Sequence, residues 1–311
     1  MPREIALLGV PSCAGTHGPG QEKAPAAVRA AGLVDGLRAA GAFVRDDGDL
    51  PVVPFRTDPA NRDRQNLGLV AEVARSVAER VGRLLDDGVL PLVVGGDCTI
   101  TLGVAAALVA RWPDTGLLYF DGDLDLSVPG TGLSGILDSM VLAHLLGEGV
   151  PELRDIGPRT PLLPAESVIA FGHDPAEVGP HHQDVLTGHG LRTHPCTEVI
   201  APGSEPIAAA RTARRTLAAG HSHLLLHFDV DVIDSTELPL ANFPHFNEGL
   251  PLAVALDCLA EFARAPQLAA VVVTEINPDH DPDGGMVRTL SDGLVRALTT
   301  PPDTGGDTAV R

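Results

Sequence analysis

The segment Gly116–Ser127, GLLYFDGDLDLS, constrains this chain more than any other. Its first half, Gly116 to Phe120, has the length and content of a buried strand. It ends in Asp121, Asp123 and Asp125, spaced i, i+2 and i+4, so an extended backbone sets all three carboxylates on one face. Like charges at that spacing repel, and burial adds desolvation. A divalent cation, or protonation, relieves both. A second apolar run, Leu224–Phe228, ends in the alternating acids Asp229 and Asp231. Two hydrophobic strands that each end in acids predict one oxygen-rich metal site at the carboxyl edge of a sheet. Two plainer readings compete. One is an acidic loop in water. The other is an EF-hand, which fails because Leu126 and Gly132 stand where glycine and glutamate are needed.

With 311 residues, 44% of them apolar, the chain has enough core for one large α/β domain. Strand-like runs at 4–10, 89–94, 117–120, 167–171, 224–228 and 268–273 alternate with helical stretches at 25–40, 64–87, 99–110, 139–146, 206–219, 252–264 and 292–298. That alternation predicts a mostly parallel sheet with helices on both faces. Residues 1–299 read as a single domain, and 300–311 as a polar, disordered tail. The net charge of −19 argues against nucleic acid and anionic membranes as partners and suits a cationic substrate, although solubility alone also accounts for it. No apolar run has the length of a membrane span, and the first residues do not read as a signal peptide. The 4 cysteines, Cys13, Cys98, Cys196 and Cys258, show no paired spacing and read as reduced thiols of a cytoplasmic protein. Lys23 is the only lysine and Ala24 follows it, which excludes a Walker A loop; no GxGxxG follows a strand.

The motifs GVPSCAG at 9–15, GGDC at 95–98, DGDLD at 121–125, SGILDSMVLA at 134–143, FDVDVID at 228–234 and TEINP at 274–278 occur in this order. On them the chain resembles the ureohydrolase family of arginases, agmatinases and relatives, over roughly residues 5–298. The resemblance implies an arginase-like three-layer α/β/α sandwich and two Mn2+ ions that activate a water against a guanidino carbon. By position, Asp121 and Asp229 would bridge the ions; Cys98 and Asp125 would complete the first and Asp123 and Asp231 the second. Glu275 falls where the family sets an acid against the substrate guanidinium, a planar fork that a carboxylate meets with two hydrogen bonds. His173 and Asp174 fall near the non-reacting end of the substrate, and Asp138 at the family's proton-shuttle position. Family members commonly form trimers or hexamers, so a homo-oligomer is expected.

Departures from the family pattern concentrate at the site. Cys98, Asp123 and Asp138 stand where the family has histidine, Ile136 where it has asparagine, and the loop after Asp234 lacks a PGTGTP-like sequence. Every metal-site aspartate is kept. The centre would then carry one or two more negative charges than its relatives, depending on whether Cys98 is a thiol or a thiolate. A sulfur ligand also favours zinc or iron over manganese, and a one-ion site is an alternative. Taken alone, Cys98 reads as a small buried hydrophobe. His227 shares a strand face with Asp229 and Asp231; a satisfied core histidine is the first reading, and a replacement for a lost imidazole ligand the second. His245 and His280 read as rim residues. The function expected is metal-dependent hydrolysis of a C–N bond in a guanidino or N-substituted guanidino compound. The alternatives are a non-catalytic relative with a degenerate metal site and a formimino or amide hydrolase.

Overall fold

The computed structural model describes residues 4–131 and 135–303. Eight strands form one sheet: β1 (Ile5–Gly9), β2 (Val44–Asp49), β3 (Leu90–Val94), β4 (Thr115–Phe120), β5 (Val168–Phe171), β6 (Arg192–His194), β7 (His223–Asp229) and β8 (Leu268–Thr274). Their order is β2-β1-β3-β8-β7-β4-β5-β6, and every pairing is parallel. Six strands fall where apolar runs predict them. The other two, β2 (VRDDGD) and β6 (RTH), lie at the sheet's edges and are mostly polar. An edge strand needs no apolar run, which is why neither is expected from the sequence.

Alternation along the central strands divides the core in two. Leu8, Val93, Tyr119, Leu225 and Val272 pack under the helices Leu67–Asp86 and Ile100–Arg111. Leu7, Leu92, Phe120, Phe228 and Val273 pack under Ala24–Ala30, Leu33–Ala39, Pro206–Ala218, Leu252–Ala263 and Gly285–Thr299. This is the expected three-layer α/β/α sandwich. A fully buried leucine or phenylalanine stabilises it by roughly 1.5–3 kcal/mol, so both faces hold the sheet firmly. The single helix expected over 25–40 is two helices, broken at Gly32, whose φ is 90°.

Ile100–Arg111 is buried from Ile100 through Val109, because it lies between the sheet and Leu67–Asp86. Gly103 permits that fit: a Cβ there would stand 2.2 Å from the Ala74 carbonyl oxygen. Its depth brings Thr101, in the first turn, against His227 on the sheet.

At the chain's far end, Asp303 accepts a 2.8 Å bond from the buried Arg214, whose guanidinium also holds Glu261 at 2.7 Å. The tail expected at 300–311 is therefore tied to the domain through Asp303, and from residue 304 it lies outside the described residues. Residues 132–134, the start of the SGILDSMVLA motif, are also outside them. No helix among the described residues is long and apolar enough to cross a membrane.

Candidate metal centre

The four central strands β3, β8, β7 and β4 are neighbours, and their carboxyl ends carry the acid-bearing turns. After β3 the chain reverses through Gly95 and Gly96, both at positive φ. A Cβ on Gly96 would lie 2.9 Å from the carbonyl oxygens of Val10 and Ser12, so only glycine lets the turn close against β1. Asp97 then locks the turn, accepting from the backbone N–H of Gly15 (3.0 Å) and Thr99 (3.1 Å), and delivers Cys98 to the edge of the sheet.

Past β4, Asp121 accepts from the Asp123 N–H at 2.7 Å, and past β7, Asp229 accepts from the Asp231 N–H at 2.8 Å. The two turns are joined by the Gly122 N–H, which donates to Asp231 Oδ1 at 2.9 Å. Asp125, at φ 47°, accepts from the Tyr119 hydroxyl. Glu275 follows β8 at φ 64°; its N–H donates to the Gly96 carbonyl at 3.1 Å, and the Gln21 amide donates to its carboxylate.

Two groups of donor atoms result. The inner one is Cys98, Asp121, His227 and Asp229, the outer one Asp123, Asp231 and His245; within each, one atom per residue lies within 4.8 Å of the others. All inner residues are fully buried. Cys98 Sγ contacts Asp229 Oδ2 and lies 3.3 Å from Thr274 Oγ1, which itself donates to Asp229 Oδ2 at 3.1 Å. His227 stands between Thr101 Oγ1, 2.8 Å from Nδ1, and Asp121 Oδ2, 3.0 Å from Nε2, and its ring stacks on Tyr119. In the outer group His245 Nε2 is 3.5 Å from Asp123 Oδ2 and 3.9 Å from Asp231 Oδ2.

Electrostatics follow from burial and crowding. Burial first, and the charges of neighbouring aspartates second, push Asp121, Asp125 and Asp231 well above the carboxylate range. Asp229 rises to about 8 through burial and the Asp121 charge. Burial and the same two acids hold Cys98 as a thiol. Burial alone lowers His227 to about 3. Burial also acts to lower His245, but Asp123, Asp231 and Asp121 outweigh it and lift the imidazole to about 10.

A cleft of about 300 Å³ opens onto both groups. Asp125, Asp138, Asp174 and Glu275 reach its wall, together with Glu177 and Phe243. Burial and the nearby Asp97 charge hold the Asp138 carboxyl well above its usual range, and His17 Nε2 lies 3.9 Å from its Oδ1. Glu275 is raised the same way, by burial and then by Asp229. His173 and Asp174 part company. Asp174 faces the cleft, whereas His173 lines an adjoining one with Pro175 and Gln183. Successive residues on an extended chain point to opposite sides, so the two do not share a wall.

Histidine placement is the main correction to the sequence reading. His227 is buried and hydrogen-bonded, as a core histidine would be, yet it is also a member of the inner group. His245 is no rim residue: it is 1% exposed. Its loop is drawn inward by Ser235, whose N–H donates to the His245 carbonyl (2.8 Å) and whose hydroxyl accepts from the His245 N–H (3.0 Å). Nothing periodic in residues 235–249 announces that return. His280 stays at the surface, beside Asn277.

The donor set suits divalent cations. It offers carboxylate oxygens, one sulfur and two imidazoles in two separate clusters. Glu275 Oε1, Asp138 Oδ1 and His245 Nε2 are buried without a hydrogen-bond partner among the described residues. Buried polar atoms are ordinarily satisfied, so such a concentration marks a place built for a guest.

A family model described as the arginase family matches residues 3–299. Arginase-1 of Homo sapiens is 27% identical over 279 residues, covering 89% of this chain and 85% of the relative. Among solved structures, the arginase from Bacillus cereus superposes with a TM-score of 0.84 at 25% identity, covering 95% of this chain and 98% of that one. The formimidoylglutamase from Bacillus subtilis subsp. subtilis str. 168 gives 0.75 at 19% identity, covering 96% and 87%, a likeness of fold alone.

Proposed function

The chain belongs to the arginase family, and from that premise we propose that it hydrolyses a C–N bond in a guanidino or N-substituted guanidino compound, using divalent cations. The observation that carries this reading is the convergence of both donor groups with Glu275, whose buried Oε1 has no partner among the described residues and whose side chain lines the same cleft. Cys98, Asp121, Asp125 and Asp229 would hold one ion, and Asp123 and Asp231, with the bridging Asp121 and Asp229, a second. Manganese is the family's metal; the Cys98 sulfur favours zinc or ferrous iron. Bound there, the ions would offset carboxylate charge and supply the Lewis acidity that hydrolysis of a stable C–N bond needs.

This chain's own residues do the rest. A guanidinium alongside would favour the ionised form of Glu275, which would then accept from the fork and fix the reacting carbon over the donor groups. Gln21 braces Glu275 from behind. Asp138, whose carboxyl burial and the nearby Asp97 raise well above the usual range, would pass a proton to the departing nitrogen. Asp174 and Glu177 line the cleft, which among the described residues carries no lysine or arginine. Its wall thus suits a substrate whose far end is neutral or cationic. Retention of Glu275 in the cleft favours a planar cationic group, a guanidinium or the amidinium of a formimino compound, over a neutral amide, which would leave that carboxylate unmatched.

A substrate panel tests the proposal. Chain loaded with Mn2+ or Zn2+ is expected to release urea, or an N-substituted urea, from a guanidine lacking a carboxylate faster than from arginine. Efficient release from arginine alone would reject the substrate preference. No product from any guanidine would favour the non-catalytic alternative.

A further inference from the structure

Where relatives have an imidazole, this chain has Asp123, and the outer group would be short of a nitrogen donor if position 123 were its only source. The described structure brings one from elsewhere. We infer that His245, from the loop after Asp234, is the imidazole ligand of the second cation, so that the ligand has moved from position 123 to position 245. The inference rests on the metal-dependent reading above and extends it to a residue outside the family motifs.

Burial, spacing and anchoring support it. The first is burial with an unmet atom: His245 is 1% exposed, yet among the described residues Nε2 has no well-formed hydrogen bond, only the Asp123 and Asp231 carboxylates nearby. The second is spacing. Nε2 stands 3.5 Å from Asp123 Oδ2 and 3.9 Å from Asp231 Oδ2. A charge-assisted N–H···O bond is about 2.7–2.9 Å long, so this is poor geometry for an imidazolium paired directly with either acid. Two donors each about 2.1 Å from one ion at a tetrahedral angle lie roughly 3.4 Å apart, which matches. The third is anchoring. Ser235 fixes the His245 backbone on both sides, and Phe243 meets its ring edge-on with centroids 5.5 Å apart. A ligand on a long loop needs such bracing to be held in place. Asp174 and Glu248 also have carboxylate oxygens within 4.8 Å of a His245 nitrogen, and ligating histidines commonly use their second nitrogen on a carboxylate.

The competing account makes His245 a protonated counter-ion to Asp123 and Asp231, in place of a second metal. Calorimetric titration of the full chain with Mn2+, backed by elemental analysis after dialysis, separates the two. The wild-type chain is expected to take up two equivalents. His245→Asn should keep one at wild-type affinity and weaken the other by tenfold or more. Adding Asp123→His to His245→Asn should bring the second equivalent back, which shows that the loss is not a folding defect; matched far-UV circular dichroism of all three proteins checks the same point. If His245→Asn takes up both equivalents as tightly as wild type, the inference is wrong and the metal-dependent reading stands. One equivalent in the wild-type chain, unchanged in His245→Asn, supports the counter-ion and overturns the inference. A wild-type chain that binds no ion overturns the functional reading itself.

Discussion

The inner and outer donor groups sit side by side at one sheet edge but are built differently. The inner group comes from strand ends and a tight turn; its members bond to one another, Cys98 to Asp229 and Asp121 to His227, and Thr101 holds the other nitrogen of His227. Asp123, in the outer group, keeps 24% of its side chain exposed, and His245 comes from a long loop with Nε2 unmet. The two imidazoles register the contrast. Burial takes His227 down to about 3, while the surrounding carboxylates take His245 up to about 10. The inner group is a braced scaffold that tolerates its own charge through hydrogen bonds. Charge in the outer group is answered less completely, and the outer group faces the cleft where a substrate would enter.

The largest effect should come from the residue tied to both groups. Asp229 contacts Cys98 and accepts from the Asp231 N–H. Asp229→Asn should lower any C–N hydrolase activity by on the order of a thousandfold or more, since members of an interdependent catalytic set fail together. Retained turnover in a steady-state assay would break the comparison at its root. Glu275→Gln touches neither donor group directly. It should leave metal content unchanged and lower kcat/KM roughly ten- to hundredfold, the worth of one or two hydrogen bonds to a charged group. Metal loss in that variant would show that Glu275 belongs to the metal set instead.

Exchange with chelators of graded strength sharpens the difference in exposure. The outer equivalent should leave first, at roughly ten- to hundredfold weaker competition than the inner, a range typical for the loss of support around a ligand. Simultaneous release of both, followed by elemental analysis, would mean that the two groups act as one unit.

How much of this was legible in the chain depends on how each part is encoded. Strand ends are encoded locally: apolar runs ending at Phe120 and Phe228 announce both the sheet and the placement of Asp121 and Asp229. His227 is readable as sharing a face with Asp229 through the period of two, and its second partner, Thr101, lies in the first turn of the helix that follows Cys98. The edge strands β2 and β6 carry no apolar signal and were not expected. His245 was misread as a rim residue because its position depends on Ser235 and on the pairing of Ile233 with Leu250 across a loop, contacts that no local pattern records. His173 and Asp174 both fall at family positions near the substrate's far end, and only the local backbone, which turns successive side chains to opposite sides, separates them between two clefts.

A third buried imidazole gives the smallest and cleanest test, away from the acids. His144 Nδ1 lies 2.6 Å from the Met140 carbonyl, and Nε2 accepts from the Val150 N–H at 3.3 Å, so the ring is neutral. Burial lowers it to about 4. Because the folded-state value lies below that of the unfolded chain, its contribution is full above about pH 6.5 and is lost as the pH falls toward 4, about 2 kcal/mol by pH 5. Denaturant unfolding at pH 7 and pH 5 should show that loss, and His144→Gln, which keeps a donor and an acceptor but does not titrate, should lessen it by a similar amount. An unchanged pH dependence in the variant would assign acid sensitivity to the donor groups alone.

The central claim, that two adjacent groups each hold a divalent cation, is tested most directly by anomalous scattering from crystals of the full chain grown with Mn2+. The account predicts two anomalous peaks, about 3.5–4 Å apart as in two-metal sites generally, one among Cys98, Asp121 and Asp229 and the other among Asp123, Asp231 and His245. A single peak, or none at saturating Mn2+, would contradict it.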